Sequence, residues 1–280
     1  DCDPPLPKRE IEQIWKSALY FFHNTIEKDP SYRPPKEYAP GSLRPSDYSD
    51  IGEAKVLAKL YSDELKYTTG TDYLCFDGVA WRESKPLATG MVEEFLDYQM
   101  SDAGELYAAA EKEVEANPKD EDAQERLDSA KKYLGFVIGR RNYKYISSTL
   151  QTARPMVLEE VANLDANPHL LNTPDGTIDL RTGKVQAHQA SDLITKCTAV
   201  SPGDKGADLW SGQLKMVFGD DKELIKYVQQ VCGLAAIGQV YVEALLIAYG
   251  EGSNGKSTFW NAIRRVLGTY AGSIAADALI

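Results

Sequence analysis

The chain has 280 residues, 43 % hydrophobic and 10 % aromatic, enough for two globular domains with ordinary cores. Its net charge of −11 argues against a protein that coats nucleic acid by bulk electrostatics, and no apolar run reaches membrane-spanning length. The N-terminus lacks a basic-then-apolar signal pattern, and the scattered Cys2, Cys75, Cys197 and Cys232 form no C-x-x-C pair. Zinc and a disulfide framework are therefore disfavoured, and free thiols in a reducing cytoplasm are expected.

In chain order, residues 1–47 are rich in proline and charge and read as a helical arm. Ile11, Ile14, Trp15, Leu19, Phe22 and Ile26 fall on one helical stripe, followed by a loop studded with Pro30, Pro34, Pro35, Pro40 and Pro45. Residues 49–70 predict a helix and a short strand. The run 73–81 predicts a hairpin in which Asp77-Gly78 supplies both left-handed positions of a tight turn.

From 92 to 150 the pattern is helical, with a break at Asn117-Pro118. Within it, residues 131–158 carry six basic side chains and no acidic one, with Phe136, Tyr143 and Tyr145 interspersed. Two readings are open. Mixed cations and aromatics suit a surface that tracks phosphates and stacks bases, with Arg140, Arg141 and Lys144 as candidate contacts. They equally suit helices whose cations face water and whose aromatics are core. A second β patch follows, with short strands at 170–172, 177–180 and 184–188 separated by Pro174-Asp175-Gly176 and Arg181-Thr182-Gly183.

Residues 209–238 return to helix, with Trp210, Leu214, Val217, Phe218, Leu224, Tyr227, Val228 and Val231 as core candidates. The fold class expected is an α+β accessory domain over 48–205, then the start of an α/β P-loop domain over 206–280. His23, His169 and His188 each stand alone and form no catalytic constellation.

The last motif carries the most chemistry. Gly250-Glu251-Gly252-Ser253-Asn254-Gly255-Lys256-Ser257, followed by Thr258, satisfies G-x-x-x-x-G-K-[ST]. Its glycines let backbone N–H groups turn toward phosphate, Lys256 reaches the β- and γ-phosphates of ATP, and the Ser257 hydroxyl ligates Mg²⁺. Glu251 lies on the phosphate side and reads as a spacer. The apolar run 244–249 predicts a buried parallel strand before the loop, and the helical period over 256–267 predicts a helix stopped by Gly268.

Taken together these blocks resemble the phage and plasmid primase–helicase family. Ser49-Asp50-Ile51-Gly52-Glu53-Ala54, Leu57-Ala58 and Leu65-Lys66-Tyr67 look like its opening, and the Trp81 hairpin follows in order. Leu164-Asp165 and the run 170–183 are similar to the domain preceding the motor in the poxvirus primase–helicase. The loop 250–258 resembles that of superfamily 3 helicases. The resemblance implies an ATP-driven AAA+ DNA helicase of a phage, plasmid or other mobile element. It would act on single-stranded or forked DNA as a ring, usually a hexamer, beside a primase domain or protein, in the cytoplasm of a host or infected cell. The acidic pair, sensor and arginine finger of such motors would lie past Ile280, so this segment is expected to hydrolyse little ATP and to stay monomeric by itself. A different P-loop ATPase, such as a loader, and a non-enzymatic recruitment module are the alternatives.

Overall fold

The computed structural model describes residues 7–28, 34–252 and 254–275 and divides the chain into two compact units, 1–42 and 43–280. The first unit holds α1 (Lys8–Phe21), which continues into a π turn at Phe22–Ile26. Its apolar stripe forms as the sequence suggests, but Ile11, Ile14, Trp15, Leu19 and Ile26 are all exposed. Part of the proline-studded loop, Pro30 included, lies outside the described residues, as does Cys2.

In the second unit, α2 (Asp50–Leu60) begins at Ser49, whose side chain accepts from the Gly52 amide at 3.1 Å. Gly52 itself is obligatory, because a Cβ there would run into the Asp47 carbonyl. The chain then forms an antiparallel meander of β1 (Leu65–Thr68), β2 (Asp72–Phe76) and β3 (Trp81–Glu83), in register Leu65 to Cys75 and Phe76 to Trp81. The β2–β3 hairpin is present, but its loop has four residues rather than the two expected from Asp-Gly. Only Gly78 is left-handed. The Asp77 carboxylate instead accepts from the amides of Val79 and Ala80, both at 2.8 Å, and so builds a wider side-chain-capped turn.

Two long helices follow: α3 (Lys85–Ala116), capped by Ser84, and α4 (Glu121–Arg140), capped by Asp120. They break apart at Asn117-Pro118, as expected, and zip together through Ala103, Ala110, Leu127, Ala130, Tyr133 and Val137. A further break at Arg141-Asn142, where the Asn142 side chain donates to the Gly139 carbonyl at 3.1 Å, starts α5 (Tyr143–Ala153). The main core lies where α2, α3, α5 and the first sheet meet, around Leu57, Tyr61, Tyr73, Val92, Phe95 and Leu150. Buried Cys75 and Cys197 are free thiols, with burial pushing Cys75 up to about 12.

This core also contains a carboxyl group. Glu53 is fully buried, and Gln99 Nε2 donates to its Oε2 at 3.1 Å and to the Leu43 carbonyl at 2.9 Å. Oε1 of each residue has no hydrogen-bond partner. Burial, opposed by the Gln99 bond and Arg140, raises Glu53 from its ordinary 4.5 to about 7. The folded state therefore holds a proton that the unfolded chain releases, and stability falls as pH rises from about 4.5 to about 7. Glu53→Gln should remove this dependence and raise stability at pH 8 by on the order of 3 kcal/mol, with little effect at pH 4. Urea unfolding of both chains at the two pH values checks it, and parallel pH profiles would refute it.

The second sheet is β4 (Leu170–Thr173), β5 (Gly176–Asp179) and β6 (Lys184–Gln186), antiparallel throughout and close to the expected bounds. Gly176 is required by close approach, since a Cβ would lie 2.7 Å from the Gln186 carbonyl. Beyond it come α6 (Ala207–Phe218), α7 (Lys222–Leu234) and α8 (Lys256–Leu267), the last ended at Gly268. Two expectations fail here. None of the eight apolar residues proposed as core on α6 and α7 is buried; they are half-buried at best. The run 244–249 forms no strand, and Leu245 and Tyr249 are 80 % and 92 % exposed. A strand exists through its ladder partners, and no described segment pairs with this one. The mixed α+β fold is thus present, with both sheets in residues 65–186 and none among the described residues after them.

Candidate functional site

The loop 250–258 sits at the start of α8. Gly255 occupies the N-cap position with φ 83°, a left-handed conformation that admits glycine at low cost, and a Cβ there would lie 2.8 Å from Val217 of α6. The same residue therefore permits both the turn and the seating of the loop on α6. Lys256 opens the helix and folds its ammonium back across the loop, donating to the carbonyls of Gly250 (2.9 Å) and Glu251 (3.0 Å) and to Asn254 Oδ1 (2.7 Å).

Next to it is an open cavity of about 750 Å³, walled by Gly252, Asn254, Gly255, Lys256, Ser257 and Thr258 from the loop and by Gln213, Met216 and Val217 from α6. Ser257 and Thr258 are exposed at the first turn of α8, where backbone N–H groups have no intrahelical acceptor and the helix dipole favours an anion. Ser253 lies outside the described residues. The three α6 residues were not foreseen, because only the fold brings that helix beside the loop. Phe259 helps seat α8: it is 2 % exposed, stacked on Trp210 at 5.6 Å and edge-on to Phe218 at 5.5 Å.

The basic window has a different fate. Arg140 is 5 % exposed, ion-paired with Asp50, and packed over the rings of Phe136 (4.8 Å) and Tyr145 (4.9 Å). Asp50 also accepts from Ser148 at 2.7 Å, and these two partners hold its carboxyl below the usual range. Arg141 lies outside on the surface, paired with Asp97 at 2.6 Å, and Lys144 is exposed beside Tyr145. The structure thus separates the three cations: Arg140 ties α4 to α2, while Arg141 and Lys144 face solvent.

Sequence reading missed Asn172 on β4. This fully buried amide donates to the carbonyls of Val79 (2.8 Å) and Lys196 (3.1 Å) and accepts from Thr177 Oγ1 (3.0 Å); His188 Nδ1 lies 2.8 Å from its Oδ1. It joins the two sheets, and Trp81 reinforces the joint by donating its ring N–H to Ala190 at 2.8 Å. The strand Leu-Leu-Asn-Thr shows no apolar–polar alternation that would mark Asn172 as inward-facing. Only Thr177 is close in sequence; Val79, His188 and Lys196 come from separate segments, so no local signal identifies the network.

These features define a mixed α+β domain of two small antiparallel sheets, the first packed against helices α2, α3 and α5, followed by a helical segment with a glycine-rich loop at a helix N-terminus. Residues 54–230 match the family described as D5 N terminal like, and the chain belongs to that family. This is the N-terminal domain of phage and viral primase–helicase proteins, which places the chain among replication proteins of that type. The match extends through α6 into α7. No curated protein matches the chain. No described helix is long and apolar enough to cross a membrane, and no described His, Cys, Asp and Glu side chains group as metal ligands.

Proposed function

We propose that this chain is the accessory domain and nucleotide-loop region of an ATP-dependent, ring-forming DNA helicase of the primase–helicase type. The supporting observation is the cavity at the head of α8, where Lys256, Ser257, Thr258 and the first-turn amides converge behind a left-handed Gly255. The residues suit a nucleoside triphosphate: one cation and several N–H donors for the β- and γ-phosphates, and the Ser257 hydroxyl as an Mg²⁺ ligand. In this reading Gly250, Glu251, Gly252, Ser253, Asn254 and Gly255 supply backbone, and Lys256 supplies charge. Loss of nucleotide binding on removal of Lys256 is the test.

On the DNA side, the proposal rests on Arg141 and Lys144, the two solvent-facing cations of the three. Replacing both by alanine should weaken single-stranded DNA binding by the protein and reduce the salt slope by about 1.4 units, since each single-strand phosphate contact contributes about 0.7. Arg140→Ala should act on stability instead, through the loss of its bond to Asp50. Titrations of labelled oligonucleotide at four salt concentrations separate these effects; an unchanged slope in the double variant would remove this stretch from the DNA path.

A further inference from the structure

Helix α8 has the phosphate-facing loop at its first residue, and its last residues are bound to the accessory domain. Past Leu267 the chain turns through Gly268, Thr269 and Tyr270. The Ala199 amide donates to the Val266 carbonyl at 3.0 Å. The Cys197 amide donates to Thr269 Oγ1 at 2.8 Å, and the Thr269 hydroxyl and amide return bonds to the Cys197 carbonyl at 3.1 and 3.0 Å. The Asn172 amide donates to the Tyr270 hydroxyl at 3.0 Å, with burial pushing that phenol up to about 12.

Nothing fits between the two parts. Gly268 has φ 58°, and a Cβ on it would lie 2.5 Å from the Cys197 carbonyl oxygen and 2.7 Å from the Ala199 nitrogen. Asn172 closes the circuit, because its carbonyl accepts the Thr198 amide at 2.9 Å and its side chain holds both sheets. The helix is therefore a rod about 18 Å long with three fixed points: the loop, Phe259 in its aromatic seat, and this clasp.

A phosphate entering the loop must compete for Lys256, whose ammonium now holds Gly250, Glu251 and Asn254. Releasing those bonds frees the loop carbonyls and the ammonium at the first residue of α8, and a helix seated at Phe259 and at the clasp offers a rigid path between the two ends.

We infer that α8 couples nucleotide occupancy of the loop to the accessory β4–β5 sheet, with Thr269 and Tyr270 as positioning residues. The inference rests on the reading of 250–258 as a nucleotide site. Coupling is reciprocal: a bound nucleotide steadies the clasp, and an intact clasp raises nucleotide affinity by holding the loop donors in place.

Hydrogen exchange on the whole chain, with and without saturating Mg·ATP, tests this. Peptides covering 194–201 and 268–271 should exchange about five-fold more slowly with nucleotide. Thr269→Ala should lose that protection and bind Mg·ATP about five-fold more weakly, while Thr269→Ser, which keeps the hydroxyl, should restore both. Protection confined to 250–258, with Thr269→Ala at wild-type affinity, would overturn the coupling and leave the nucleotide site standing. Absence of protection anywhere would overturn the nucleotide reading and the coupling with it. The wild-type comparison needs no variant, so the test holds even if Thr269→Ala fails to fold.

Discussion

Lys256→Ala is expected to lower ATP affinity by roughly 100-fold or more, because a charge-assisted bond to phosphate is worth about twice a neutral one and in the proposed site this ammonium would serve two phosphates. The local structure amplifies the loss. The same side chain bridges Gly250, Glu251 and Asn254, so its removal also slackens the loop that must present the backbone donors. Competition against a fluorescent ATP analogue measures the effect, with the unfolding midpoint as a control. Because the Lys256 head lies on an open cavity and outside the core, stability should change little. Unchanged affinity in a folded variant would remove Lys256 from the site.

Asn172→Ala should cause the largest loss of stability, about 3–5 kcal/mol. The substitution removes the side-chain donor of the part-buried Val79 and Lys196 carbonyls and the closest acceptor of the buried Thr177 hydroxyl, and a group left unsatisfied in the interior costs about 1–3 kcal/mol. It also removes the side-chain tie between the β2–β3 turn and β4, while the main-chain bonds of residue 172 to Thr198 and Tyr270 remain. Equilibrium denaturation gives the magnitude. A change below about 1 kcal/mol would mean that the amide network contributes little net energy.

What could be read in advance was local. Asn117-Pro118 and Gly268 read as stops and stand where helices end, while the caps Ser49, Ser84 and Asp120 are seen only in the structure. The second sheet was legible because Asp175-Gly176 and Arg181-Thr182-Gly183 set its turns within a few residues of its strands. At Asp77-Gly78 the same logic misled, since the aspartate side chain captured two amides and widened the turn.

The failures were non-local. A run such as 244–249 has strand composition, but composition supplies no ladder partner. The amphipathic pattern on α6 and α7 marks a face suited to burial without saying what covers it, and the described residues leave it half-exposed. The basic and aromatic window posed the same difficulty. Arg140 between Phe136 and Tyr145 is chemically the arrangement that stacks on a base, and here the stack is satisfied within the chain. At the loop, motif spacing marked Gly250 to Ser257 as candidates, whereas Gln213, Met216 and Val217 became visible beside them only once α6 was placed.

The most direct measurement is calorimetric titration of the unmodified chain with Mg·ATP, Mg·ADP and AMP. A loop that recognises β- and γ-phosphates should bind ATP and ADP with saturable heats and give none with AMP. AMP binding as tightly as ATP, or no heat with any of the three, would contradict a phosphate-binding role for residues 250–258.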